Sequence, residues 1–156
     1  MLKLYHYIDG KLRYHEAWAN GPTITEHWGV VGEKGDSAEH KRNKKLDEDA
    51  DIECVLAEPR SSGYSEFDDE QLSILLVEYT VEGMGTEKDL TKRHALEDRL
   101  GETLGWTGLG HVDGGSIGSG TMEVCCVVVD FEIAKRTIES ELVGTKFSDF
   151  TQIINE

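Results

Sequence analysis

Several things are scarce in this chain of 156 residues, and each scarcity excludes something. There are only two prolines and no low-complexity run, so a disordered, linker-like protein is excluded and a packed core is expected. No apolar stretch approaches the roughly 20 residues that cross a bilayer. The opening Met1-Leu2-Lys3-Leu4-Tyr5-His6 lacks the apolar core and small-residue cleavage site of a signal peptide, which makes the cytoplasm the expected location. Cysteine is limited to Cys54, Cys125 and Cys126, with no C-x-x-C pair. That spacing predicts free, buried thiols in place of disulfides or a zinc site, and no metal or cofactor is expected.

Basic residues are scarce too. Sixteen Lys and Arg stand against 31 Asp and Glu, a net charge of −15. Binding to a nucleic-acid backbone draws its affinity from clustered cations, so nucleic acid is disfavoured as a partner and a basic protein is favoured. The imbalance is uneven. Residues 1–60 hold 9 basic and 12 acidic side chains, whereas residues 61–156 hold 7 and 19.

What is present reads as an α+β chain: a small antiparallel β-rich module over residues 1–60, a polar linker over 61–71 and an acidic ferredoxin-like βαββαβ domain over 72–156. In the first module, alternating runs at residues 2–8, 11–18 and 23–31 are separated by Asp9-Gly10 and Asn20-Gly21-Pro22, which predicts a meander of hairpins. The charged stretch from Glu39 to Asp51 is expected to be a solvated helix or a mobile loop, with its basic run Lys41–Lys45 neutralised by the acids that follow.

The segment Trp28-Gly29-Val30-Val31-Gly32-Glu33-Lys34-Gly35 resembles the signature of the WGR domain, a small β-rich module with Trp-Gly-Arg followed by Gly-x-x-Gly. Trp28, Gly29, Gly32 and Gly35 match, and Val30 stands where the signature arginine would be. The WGR modules of poly(ADP-ribose) polymerases use basic surfaces at DNA ends. A valine cannot donate to a phosphate, so the resemblance implies an interaction module, with Trp28, Glu33 and Lys34 as its candidate contact residues. The histidines His6, His15 and His27 fall on separate strands, with nothing in the spacing to align them.

In the second half, residues 72–79 read as a strand apolar on both faces. Thr86-Glu87-Lys88-Asp89 is a capping-box start for a helix with Leu90, Leu96, Leu100 and Leu104 on one face and Gly105 at its end. A glycine-rich hairpin then leads into a second strand apolar on both faces at 121–129. Asp130 caps another helix bearing Ile133, Ala134, Ile138 and Leu142, Gly144 stops it, and residues 146–154 are expected to form the last strand. The order β-α-β-β-α-β is that of a split βαβ sheet. Helices cover one face of such a sheet, so its other face is expected to be covered by residues 1–60 or by the same face of a second subunit, making a homodimer.

The chemistry-bearing candidates lie in the hairpin. Seven of the sixteen residues from Gly105 to Gly120 are glycine, and His111 and Asp113 alternate along one strand, where a carboxylate could orient an imidazole. A ligand site would comprise His111, Asp113, Gly114, Gly115 and Ser116; turn chemistry accounts for the same glycines without a ligand. Gly114-Gly115-Ser116-Ile117-Gly118 fits G-x-S-x-G, but a strand follows it where a nucleophile elbow needs a helix, so no catalytic residue is assigned. The reading that results is a non-enzymatic binding protein that engages a basic partner through an acidic surface. Its alternatives are a small-ligand protein or enzyme built on His111 and Asp113, and nucleic-acid binding through the WGR-like module.

Overall fold

Asp9 and Gly10 both adopt positive φ, 52° and 77°, and turn β1 (Leu2–Ile8) directly into β2 (Lys11–Asn20). Positive φ at both central positions is what a two-residue hairpin loop demands, and its twist matches that of the strands it joins. Gly21, at φ 62°, opens the next turn into β3 (Thr23–Val30). The computed structural model describes all of residues 1–156, and the chain divides into two units, Met1–Asp68 and Asp69–Glu156.

In the first unit the strands run in sequence order, β1-β2-β3-β4, all antiparallel. The fourth strand corrects one expectation. Residues 36–41 form β4 (Asp36–Lys41), so the charged stretch begins as a strand and is a helix only from Glu48. The run after β4 is the corner between them. Arg42 Nε donates to Asp51 Oδ2 at 2.9 Å and the Asn43 amide donates to the same oxygen at 2.8 Å, so the basic and acidic runs are joined locally. Asp47 caps α1 (Glu48–Val55) by accepting from the Ala50 amide. The helix sets Ile52 and Leu56 against Leu4, Ala17 and Ile24, all five at most 2% exposed. Each of the four Leu and Ile side chains among them contributes about 1.5–3 kcal/mol when fully buried.

The expected linker over 61–71 is largely absorbed into this unit. After α2 (Ala57–Ser61), Ser65 and Tyr5 exchange backbone hydrogen bonds of 2.8 and 3.0 Å, and the Phe67 ring lies 4.7 Å from that of Tyr5. Tyr64 packs on the core. The stretch is polar in composition, yet its two aromatics anchor it.

The second unit opens with a 3₁₀ turn (Asp69–Gln71) and contains β5 (Ser73–Thr80), α3 (Glu87–Trp106), β6 (Gly110–Gly118), β7 (Thr121–Val128), α4 (Phe131–Leu142) and β8 (Gln152–Asn155). Its sheet is antiparallel, ordered β6-β7-β5-β8, which is the split βαβ arrangement. The capping box is formed: the Asp89 amide donates to Thr86 Oγ1 and the Thr86 amide to Asp89 Oδ2. Asp130 caps α4 through the Ile133 amide at 2.9 Å.

Leu96, Leu100 and Leu104 are buried in the core, but Leu90, expected on the same face, is 41% exposed, because it lies in the first turn of the helix. Gly105 does not end α3, which continues through Trp106. The last strand is also shorter than expected. Residues 145–151 are turns in which buried Phe147 accepts a 2.8 Å hydrogen bond from Tyr79 Oη on its carbonyl, and pairing with β5 starts only at Gln152.

Candidate functional site

Alternation along β5 and β7 sorts the sheet of the second unit into two faces. Leu75, Val77 and Tyr79 pair with Cys126, Val124 and Met122, and all six are at most 2% exposed. This is the helix face. Gly115, opposite Val124, shows it directly, because a Cβ there would lie 3.1 Å from Arg93 Cδ and 2.9 Å from Glu97 Oε1 of α3. The other face carries Ile74, Leu76, Cys125, Val127 and Ile154 at its centre. Around them stand Glu78, Glu123, Asp113 and Glu156.

Charge is segregated between these layers. The four strands contain no Lys or Arg, and all seven basic residues of the unit lie on α3, on α4 or just after α4. Several are paired there: Lys92 with Asp149, Arg93 with Glu97, Arg99 with Glu141. On the sheet face, Glu78 and Glu123 are direct cross-strand partners. Their neighbours are neutral: Ser116 Oγ donates to Glu123 Oε1 at 3.0 Å and the Gln152 amide donates to Glu78. Burial, and then the charges of Asp113, Glu156 and Glu123, push the Cys125 thiol up, which disfavours a thiolate at that sulfur.

The glycine-rich hairpin has specific mechanical reasons for its composition. Asp113 is the extra residue of a β-bulge between Val112 and Gly114, and Gly114 takes φ 128° to accommodate it. Gly115 lets α3 approach, and Ser119 and Gly120, at φ 52° and 85°, form the hairpin turn. His111 faces Val127, so it and Asp113 are both exposed near the acidic face, but no hydrogen bond joins them. The bulge interrupts the simple alternation on which their pairing was expected. Ser116 engages Glu123 and no histidine.

In the first unit the Trp-Gly segment forms the end of β3 and a tight loop over residues 31–35. Tyr14 Oη donates to the Glu33 and Lys34 carbonyls at 2.9 and 3.0 Å. Gly35, at φ 67°, packs so closely that a Cβ would lie 2.1 Å from the Trp28 carbonyl oxygen, and one on Gly29 would lie 2.8 Å from Gly35 Cα. Two glycines and one tyrosine thus hold Glu33 and Lys34 at the loop tip. Trp28 turns to the opposite face, stacking on His15 with ring centroids 5.6 Å apart.

Two histidine groups escape sequence reasoning. Glu26 bridges His15 Nε2 and His40 Nε2, the latter at 2.7 Å, on one face of the sheet. On the other face, His27 and Glu16 form a pair 1% and 3% exposed, Nδ1 to Oε1 2.9 Å. The register of β4 places His40, so predicting that strand would have been the signal for the first group. No group of three or more His, Cys, Asp or Glu residues is arranged to hold a metal ion, and no helix is long and apolar enough to cross a membrane. Comparison with protein-family models, curated proteins and solved structures finds no match to this chain.

Proposed function

We propose that this is a non-enzymatic binding protein whose second unit engages a basic protein partner on the helix-free face of its sheet. The observation that carries the reading is the direct opposition of Glu78 and Glu123 on a face without a basic residue. Like charges set opposite each other across a strand pair destabilise a sheet, and a cation laid between them removes that penalty. The apolar centre, Ile74, Leu76, Val127 and Ile154, supplies the desolvated contact that converts electrostatic attraction into affinity. The whole unit supports capture at a distance, with 7 basic and 17 acidic residues over 69–156.

The WGR-like resemblance of the first unit fits the same class of function. Its rigid loop displays Glu33 and Lys34, and with Val30 in the signature position it is read as a protein-contact module in preference to a DNA-end reader. A cytoplasmic location accords with its free thiols.

The test uses a lysine-rich amphipathic peptide as probe, titrated against the full chain by calorimetry at about 50 mM and about 500 mM salt, conditions that change the screening length severalfold. The reading expects binding that weakens at least tenfold at high salt and is lost in the Glu78→Gln/Glu123→Gln variant. Equal affinity of the variant and the native chain would overturn it. A salt-resistant dimer of the native chain in light scattering would instead assign the face to a second copy.

A further inference from the structure

The buried pair in the first unit can be read down to its protons. His27 Nε2 lies 2.6 Å from the carbonyl oxygen of Lys34 and 3.2 Å from Tyr14 Oη. A carbonyl oxygen can only accept, so Nε2 carries a hydrogen. The Tyr14 hydroxyl directs its own hydrogen at the Glu33 and Lys34 carbonyls, so it also presents a lone pair to Nε2. The contact between Nδ1 and Glu16 Oε1, 2.9 Å long, then needs a second hydrogen. Either an imidazolium donates Nδ1–H to an ionised Glu16, or a neutral Glu16 donates O–H to Nδ1. Without that hydrogen, two lone-pair-bearing atoms would face each other at hydrogen-bond distance with water excluded, since the side chains are 1% and 3% exposed.

We infer that Glu16 and His27 hold one shared proton in the folded protein and that this proton latches the loop over residues 31–35, fixing the Glu33–Lys34 tip. When the proton leaves, the ring's remaining hydrogen is drawn to the Glu16 carboxylate as the Nδ1–H tautomer. Nε2 then turns a lone pair on the Lys34 carbonyl, and the loop loses its innermost hydrogen bond. Several groups from neighbouring elements face the pair. On β1, Lys3 stands opposite Glu16 and Tyr5 opposite Tyr14; on β4, Ser37 stands opposite His27. Glu33 and Asp36 lie near enough for their charges to act on Tyr14, and the Trp18 ring sits edge-on to His27 with centroids 6.3 Å apart. Lys3 is the single cation in this set. Burial first, and then Glu16, Glu33 and Asp36, push the Tyr14 phenol up, so the hydroxyl keeps its hydrogen for the loop carbonyls throughout the neutral range.

Imidazole nitrogen NMR on the full chain, uniformly labelled with nitrogen-15 and carbon-13, tests the inference between about pH 5 and about pH 10, spanning the range in which histidine ordinarily titrates. The expected state at neutral pH is either a ring protonated at both nitrogens or an Nε2–H ring beside a protonated Glu16 carboxyl. If the proton leaves within that range, the amide signals of Glu33, Lys34 and Gly35 move with the same midpoint; if it is retained throughout, they stay in place. Glu16→Gln offers an amide N–H to Nδ1 without a shared proton, so its loop amides keep their docked positions at every pH. A neutral ring protonated at Nδ1 with the loop docked, or an ionised Glu16 beside an Nε2–H ring, overturns the inference. So do loop amides that stay fixed while the proton is lost, an outcome read on the native chain alone.

Discussion

Glu78 on β5 and Glu123 on β7 are direct cross-strand partners on the helix-free face of the second sheet, and no basic side chain lies on any strand of that sheet. Like charges set directly opposite each other across a strand pair are destabilising. Replacing Glu123 by Gln keeps an acceptor for Ser116 Oγ while removing one charge. The variant is expected to be more stable than the native chain by about 0.2–1 kcal/mol, the usual scale of a cross-strand pair, and at the same time to bind a cationic peptide more weakly. Urea denaturation and calorimetry on the same samples check both halves, and a destabilised variant would show that the pair is not repulsive.

Gly35 and Gly10 separate strain from collision. Both have positive φ, 67° and 77°, but a Cβ at Gly10 meets nothing within 4 Å, whereas one at Gly35 would lie 2.1 Å from the Trp28 carbonyl oxygen. Gly10→Ala is expected to cost about 1 kcal/mol for its backbone conformation. Gly35→Ala should cost about 3 kcal/mol or more, because the loop must shift and give up the Tyr14 hydrogen bonds. Chemical denaturation of the two variants side by side measures the difference.

The N-cap of α4 offers a cleaner measurement of local structure. Asp130 accepts from the Ile133 amide at 2.9 Å, and the helix it opens buries Ala134, Ile138 and Leu142. Asp130→Ala should lower stability by about 1 kcal/mol and Asp130→Asn by much less, since asparagine caps nearly as well. Equal losses in both variants would show that charge, and not the cap hydrogen bond, is at stake.

Alkaline conditions should unfold the protein by a defined route. Burial pushes the Cys126 thiol up to about 12 and raises the phenols of Tyr5, Tyr14 and Tyr79 well above their ordinary range. A group whose folded pKa is raised holds its proton more tightly when folded. Its contribution is therefore complete below its unfolded pKa and is lost as the pH climbs toward the folded value. Stability should be flat with respect to these groups below about pH 8 and fall above about pH 9, where unfolded thiols and then phenols ionise. Ultraviolet titration should find that Tyr5, Tyr14 and Tyr79 ionise only together with loss of the folded circular dichroism signal. In thiol labelling, exposed Cys54 should react well before Cys125, and Cys126 only on unfolding.

The sequence by itself determined what depends on residues a few positions apart. Asp9-Gly10 specified a turn because two adjacent positive φ values need such a pair, and Thr86 with Asp89, or Asp130 before Ile133, specified helix starts because a cap bonds an amide three residues on. The two-sided apolar runs of β5 and β7 and the order of elements then led to the split βαβ sheet. Tertiary structure decided what depends on register between distant segments. β4 lacks an apolar face and exists because β3 offers it an edge, and Tyr64 and Phe67 dock a polar stretch that composition marks as a linker. The bulge at Asp113 decides how His111 and Asp113 are presented, and only the pairing of β2 with β3 brings Glu16 to His27, or that of β5 with β7 brings Glu78 to Glu123. A one-residue slip in either pairing would separate those side chains onto different faces, because successive residues of a strand point to opposite sides. The local sequence therefore names the groups that can act, and the register alone determines which of them meet.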